Sequence, residues 1–409
     1  MQNANIEGFV APGFEPVREV FAENFRSRGE VGAACAAYLH GEPVVDLWGG
    51  VADPTTGRPW EKDTLVLVFS TTKGVASMAI AVAHSRGLLD YDEKVARYWP
   101  EFGAHGKSEV TVRQLLSHQA GLAAVDAPID LATLGDPDRL AEVLAAQPPN
   151  WKPGERHGYH GVTLGFYESA LLRRVDPQRR TLGRFFADEV AAPLGLEFYI
   201  GLPASVPRER VARILGDRFA LRMLGNLHKL PGAFVLGFIN PFSVTARAFS
   251  NPAALGQPHQ YNTEALRALE LPASNGIGQV RSVAKAYGEL ARGAPTLGLN
   301  AATLAALEQR AVLPSRGDED VVLRRKTSFS LGYCKPFPGF DFGTDGRAYG
   351  TMGAGGSLGY ADPSSGLGFA YAMNRMDFYL FNDPREHELS KAVRACALAA
   401  GGRSAARVP

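Results

Sequence analysis

Strand-like patterning in this chain is confined to its two ends, and helical spacing of apolar residues dominates the long stretch between them. From Phe14 to Arg28, residues Val17, Val20, Phe21 and Phe25 share one face, which predicts an amphipathic helix. The next stretch, "VGAACAAYLHGEPVVDLWGG", holds two β-rich runs around His40-Gly41-Glu42-Pro43 and predicts a hairpin, bounded by Gly29 and Gly49-Gly50. At Ser70 the texture changes. "STTKGVASMAIAVAHSRG" is apolar at helical spacing until Gly87, and "GLLDYDEKVARYWPEF" and "VTVRQLLSHQAGL" continue mainly helical. Strand-like runs return in "FSLGYCKPF" near Phe329, "GRAYGTMG" near Tyr349 and "GLGFAYAMNR" from Gly366. A last helix is expected from Arg385 to Ala399, followed by a small polar tail.

This order predicts an α/β protein with one sheet made from both chain ends and covered by the terminal helices. Residues 1–75 and 270–409 would form that part, and residues 76–269 a mostly helical insertion. No internal repeat is visible.

Composition narrows the class. With 409 residues and 45% apolar content, the chain can bury a large core. Its 43 basic and 42 acidic side chains leave a net charge of +1, which argues against nucleic acid and anionic membrane surfaces as partners. Cys35, Cys334 and Cys396 lie far apart with no metal-binding spacing, so reduced, buried thiols are expected. The start, "MQNANIEGFVAPGFEP", has neither basic region nor apolar core, and the expected location is cytoplasmic. No run reaches the roughly 18 apolar residues of a membrane span. The nearest, Leu230 to Phe242, is interrupted by Pro231, Gly232, Gly237 and Pro241 and reads as an apolar loop that would wall a pocket.

Two serines compete as nucleophile. Gly355, Ser357 and Gly359 spell G-x-S-x-G, the motif of a nucleophile elbow, which requires a strand before it and a helix after it. Here turn residues Ala361 to Gly366 and a strand-like run follow, so the elbow reading fails on its flanks. That α/β-hydrolase reading would also need an acid and then a histidine downstream. Only His387 is there, with Asp362, Asp377, Asp383 and Glu386 as acids. The second candidate is Ser70, one helical turn before Lys73. A serine hydroxyl attacks only when a base takes its proton, and burial near a helix start lowers an amine's pKa enough to serve. The plainer alternative is a helix-capping serine beside a solvated lysine.

The surrounding motifs favour catalysis. "F-S-x-x-K" at Phe69 to Lys73, "G-L-L-D-Y-D" at Gly87 to Asp92, "Y-W-P-E-F" at Tyr98 to Phe102 and "L-L-S-H-x-A-G-L" at Leu115 to Leu122 resemble the serine β-lactamase-like superfamily. The resemblance is closest to the class C-related esterases known as family VIII carboxylesterases and covers most of the chain. It implies a β-lactamase/penicillin-binding-protein-like fold with a central antiparallel sheet, and a third catalytic group: Tyr159, after the Pro153-Gly154 turn. In the family that phenol shares a proton with the lysine and serine, acting as general base in acylation and relaying the proton to the leaving group. Gly161 stands where class C enzymes carry asparagine. His157 and His160 flank Tyr159 and raise a minor Ser-His alternative, whereas His118 resembles a structural residue.

The same resemblance makes the segment before Ser357 a cleft-lining sheet edge. The triplet Thr351-Met352-Gly353 replaces the family's K-T-G or H-x-G, and removes the cation that would meet a β-lactam acid group. Thr351, Met352, Gly353 and Gly355 are expected to bind substrate. The amide N–H groups of Ser70 and Ala354 are expected to form the oxyanion hole. The implied function is hydrolysis of short to medium acyl esters through an acyl-enzyme on Ser70, with a small-molecule ester as partner and no metal or organic cofactor. β-Lactamase, D-aminopeptidase or amidase, acyltransferase and non-catalytic scaffold remain alternatives on the same fold. The sequence leaves the oligomeric state open.

Overall fold

The computed structural model describes residues 5–216 and 219–405. Six strands make the main sheet: β1 (Ile6–Val10), β2 (Gly32–Leu39), β3 (Glu42–Asp53), β4 (Tyr349–Gly353), β5 (Ser357–Asp362) and β6 (Leu367–Met373). Their order is β1-β3-β2-β6-β5-β4, every pairing is antiparallel, and a two-residue strand, Arg58–Pro59, pairs with β3. The predicted hairpin closes more tightly than its sequence suggests. Leu39 pairs with Glu42, leaving only His40 and Gly41 in the loop, both with positive φ (52° and 91°). That mirror-image turn matches the twist of the strands.

Helices α1 (Glu15–Ser27), α2 (Thr71–Ser85), α3 (Thr163–Val175), α4 (Gly232–Ile239), α5 (Val280–Ala291) and α6 (Pro384–Ala405) matter most for the site. α1 and α6 pack together on one face of the sheet, and α2 and α5 lie on the other. Strand β6 shows why the two faces differ. Leu367, Phe369, Tyr371 and Met373 point into the α1/α6 layer, while Ala370 and Ala372 belong to the core beneath α2 and α5. Large side chains hold one layer off, and small ones let the other come close. At Gly368 a Cβ would sit 2.1 Å from the Gly288 backbone nitrogen of α5.

Three expectations change. The run near Phe329 forms no strand of its own, only isolated bridges from Phe329 to Cys334, from Cys334 to Gly350 and from Phe337 to Phe340. Gly332, at φ 81°, turns the chain there, and the Ser330 amide donates to the Tyr333 carbonyl across the turn. The apolar stretch Leu230–Phe242 contains the helix α4 rather than a loop. Pro231 precedes its first turn and Pro241 follows its end, positions where proline brackets a helix instead of breaking it. The last helix runs six residues past Ala399 to Ala405, because Gly401 and Gly402 each cost only about 1 kcal/mol in a helix. Residues 406–409, the end of the polar tail, lie outside the described residues. Among the described residues no helix is long and apolar enough to cross a membrane.

A small sheet joins the middle of the chain to the body. Ile277–Gly278 pairs with Val66–Leu67 on one side and Phe198–Tyr199 on the other. Val66–Leu67 leads directly into Ser70.

The close approach at Gly368 predicts that Gly368→Ala lowers stability by about 1–3 kcal/mol, since helix and sheet must move apart. Denaturant midpoints measure this, with Gly401→Ala, where nothing lies within 4 Å of an added Cβ, as the comparison. Equal midpoints for Gly368→Ala and the wild type would contradict the packing described.

Candidate active site

Ser70 stands at the N-terminus of α2, where the chain leaves the Val66–Leu67 strand through Val68 and Phe69. Phe69 has φ 47°, a left-handed conformation that costs a non-glycine residue roughly 1–2 kcal/mol. Other contacts hold the turn in place. The Ser357 hydroxyl donates to the Val68 carbonyl at 2.7 Å and lies 3.0 Å from the Thr71 hydroxyl. The Thr72 hydroxyl accepts the Gly276 amide at 2.9 Å. Although Ser70 occupies the capping position, its side chain makes no capping hydrogen bond, so the hydroxyl is free for another use.

That use involves Lys73, which is 1% exposed. Its Nζ lies 2.6 Å from the Gly161 carbonyl, 2.8 Å from the Ala273 carbonyl and 3.0 Å from Ser70 Oγ. Burial pulls its pKa down to about 7, against the opposing pull of Glu168. Glu168, buried on α3, accepts the Ser77 hydroxyl at 2.9 Å through Oε1, while burial pushes its pKa up to about 8. At pH 7 Glu168 favours its neutral form, and Lys73 is balanced between its charged and neutral forms and becomes mainly neutral above that pH.

Tyr159 completes the cluster: Lys73 Nζ lies 4.9 Å from its ring centroid, and the nearby Ser70 side chain pulls against the effect of burial on its hydroxyl. Burial raises its pKa well above the ordinary tyrosine value, so at neutral pH it is a phenol. Its backbone is fixed by the buried Asp320, whose two carboxylate oxygens lie 3.1 and 3.0 Å from the Tyr159 amide nitrogen. Asp320 also accepts the Val322 and Leu323 amides, each at 2.8 Å.

The histidines are committed elsewhere. His160 Nδ1 donates to the Gly158 carbonyl at 2.6 Å and its Nε2 accepts the Leu122 amide at 3.0 Å, which fixes one neutral tautomer. Burial holds its pKa down to about 4. His118 Nδ1 accepts the His160 amide at 3.1 Å. His157 Nε2 faces the Asp318 carbonyl and the Thr327 hydroxyl, both at 3.1 Å. With these nitrogens engaged, the Ser-His alternative has no support in the geometry. Ser357 is fully buried at the start of β5 with its hydroxyl engaged, so the elbow reading fails in three dimensions as well.

The turn between β4 and β5 brings Ala354 to the cleft. Ala354 is exposed and lines, with Ser70 and Gly355, a cavity of about 500 Å³. Among the described residues, neither the Ser70 nor the Ala354 amide N–H has an acceptor. Gly355 and Gly356 have φ of 89° and 114°, and a Cβ on Gly356 would sit 2.7 Å from the Asp383 carboxylate. Arg385 clamps the turn by donating to the Gly355 carbonyl at 2.6 Å and to Asp383 at 2.8 Å.

The rest of the expected substrate set faces elsewhere. Thr351 turns inward, its hydroxyl 3.0 Å from the Tyr287 hydroxyl and 3.1 Å from the Thr71 carbonyl. Met352 packs on the opposite face, with its sulfur 3.6 Å from Cys334 Sγ. A Cβ on Gly353 would strike Ser357 Oγ at 2.2 Å. Only Gly355 of the four lines the cavity.

Sequence reasoning missed Glu168, Asp320 and Arg385. A lone acid inside the apolar run "TLGFYESALL" was a visible signal for the first. Asp320 sits among other acidic residues in "GDED" and carries no such mark. Among the described residues no group of His, Cys, Asp and Glu is arranged to hold a metal ion.

Comparison with known proteins places this geometry in context. A family model described as Beta-lactamase matches residues 15–391. The esterase/beta-lactamase LipL of Mycobacterium tuberculosis is 34% identical over 384 residues, covering 90% of this chain and 83% of that protein. The crystal structure of a family VIII carboxylesterase superposes with a TM-score of 0.83 at 39% identity, covering 96% of this chain and all of the other. A penicillin-binding protein homologue from Caulobacter crescentus gives the same TM-score at 36% identity, with 96% and 100% coverage. The expected fold is therefore the observed one.

Lys73 also leaves a mark on stability. Its lowered pKa means that from pH 7 to about 10.5 the unfolded chain holds a proton that the folded one lacks at this residue, so the contribution of Lys73 to stability rises with pH across that window. Relative to Lys73→Met, the wild type is expected to gain about 1.4 kcal/mol per pH unit above 7. Urea unfolding at pH 7 and 9.5 measures the difference. Parallel pH curves would show that Lys73 is protonated in the fold.

Proposed function

The chain belongs to the beta-lactamase family, and from that premise we propose that it is a carboxylesterase that hydrolyses esters through an acyl-enzyme on Ser70. One observation carries the reading. Two carbonyls, of Gly161 and Ala273, take the two N–H bonds of a neutral Lys73, and the remaining neighbour of its lone pair is Ser70 Oγ at 3.0 Å. The amine is thus aimed at the proton that must leave.

In acylation Ser70 Oγ bonds to the ester carbonyl carbon, and its proton passes to Lys73. The amides of Ser70 and Ala354 receive the negative oxygen, each such donor being worth about a hundredfold or more in rate. As the carbon–oxygen bond to the alcohol breaks, Tyr159 gives its proton to the departing oxygen and recovers one from Lys73. Burial keeps Tyr159 protonated, so Lys73 rather than the phenolate is the base, a division of labour that differs from the role expected for Tyr159 from the resemblance. Water then attacks the acyl carbon, loses its proton to the same pair, and Ser70 leaves with a proton restored. Cytoplasmic residence belongs to this reading and is supported by Cys35, Cys334 and Cys396, all buried and none in a disulfide.

p-Nitrophenyl acetate and butyrate turnover tests the assignment. Ser70→Ala is expected to lose at least about a thousandfold in kcat. Ser357→Ala is expected to keep a measurable part, since it removes support for the turn and not the nucleophile. The reverse order would overturn the assignment, and a fluorophosphonate is expected to label Ser70. The pH dependence has a definite sign. Below pH 7 Lys73 gains a proton and ceases to be a base, so kcat/KM is expected to rise from acid with an apparent pKa of about 7. A flat profile from pH 5.5 to 8 would count against Lys73.

A further inference from the structure

The cavity beside Ser70 carries more information than the chemistry uses. Its walls come from separate parts of the chain: Phe69 and Tyr261 on one side, Met223 to Leu230 and α4 above, and Met376 to Leu380 opposite. α4 presents Phe234, Val235 and Phe238 to it. Among the described residues Asp377 is the one charged residue in the lining, and Lys229 Nζ at 2.6 Å and the Phe378 amide at 2.7 Å hold its carboxylate. Among the described residues no cation lines the space. That pair also latches the segment Phe219–Phe242 over the cavity, helped by Arg222, which donates to the Met376 carbonyl at 3.0 Å. The polar groups of this cap fasten it, and its inner surface stays apolar.

The rim is apolar too. Leu224 and Ile239 both line the cavity and stand exposed, and Leu221, Leu236 (68% exposed) and Phe242 (89%) continue the surface outward. A cavity of about 500 Å³ is far larger than the roughly 10–15 Å³ that one water requires, so it holds many waters. Walls with so few hydrogen-bonding groups hold such water poorly, and an apolar chain displaces it favourably. An acetyl or butyryl group would fill only a fraction of the space.

Resting on the esterase reading, we infer that the substrates are neutral esters with one long apolar branch, which passes the rim of the cap and lies in the cavity under α4. A carboxylate on that branch would find no counter-charge among the described lining residues and would lose its hydration.

The test is chain-length dependence at concentrations below each ester's solubility limit. Two series, p-nitrophenyl alkanoates and alkyl acetates, distinguish a branch on the acyl side from one on the alcohol side. With wild-type protein, kcat/KM is expected to rise by about two- to fourfold per methylene from four to eight carbons in at least one series. Val235→Trp, which fills the space beneath α4, is expected to lower the octanoate-to-acetate ratio of kcat/KM at least tenfold. Labelling of wild-type Ser70 by octyl and ethyl fluorophosphonates gives the same comparison without a variant, and the octyl reagent is expected to react faster. If both series fall beyond four carbons while Ser70 is labelled and acetate is cleaved, the esterase reading stands and this inference is overturned. If no ester is cleaved and Ser70 is not labelled, both fall together.

Discussion

Removing a lysine amine from water costs several kcal/mol when it stays charged, and the protein avoids most of that cost only if the amine gives up its proton. Among the described residues no carboxylate makes an ion pair with Lys73 to hold the charge, and its hydrogen-bond partners there are two main-chain carbonyls and one hydroxyl. This single desolvated amine sets the requirements for the rest of the molecule. α2 must be buried along most of its length to keep water out, and residues from Thr71 to Ala83 are. The Gly161 and Ala273 carbonyls must be delivered from two other segments. One is anchored by Asp320 beneath Tyr159, and the other by the buried Asn275, whose Oδ1 accepts the Leu271 amide at 3.1 Å.

The same demand accounts for the small residues of the sheet. A helix layer that excludes water from Lys73 must lie close to the strands, and Gly359, Gly368 and Gly288 permit that contact. Thr351 fits this account better than a role in binding. Its hydroxyl meets the Thr71 carbonyl and the Gly74 amide, so the edge strand is tied to the first turn of α2 by hydrogen bonds instead of offering a side chain to the cleft.

Much of this was legible because it is local. Helical periodicity marked α1 and α2, the glycine-punctuated alternation marked the hairpin, and the three-residue spacing of Ser70 and Lys73 put both on one helical face. What was not legible depends on partners distant in the chain. Thr351 lies on the cleft-side edge strand, yet only its contacts with Tyr287 and α2 show that it turns away. Leu230–Phe242 reads as irregular when its prolines and glycines are counted, and as a helix once their positions at the ends are seen. Glu168 and Arg385 do their work through contacts with Ser77 and with the Gly355 carbonyl, and no spacing in the sequence announces either contact.

The Ser357 contact with Val68 joins residues 289 positions apart. A chain made from its N-terminus at about 5–20 residues per second exposes Ser70 roughly 15 to 60 s before the turn that pins it exists. For the later part of that interval, once Tyr159 has been made, Ser70, Lys73 and Tyr159 are all present while the sheet edge that immobilises them is not. Ester cleavage therefore belongs to the finished molecule, and incomplete chains in the same compartment should carry the nucleophile without the reactivity.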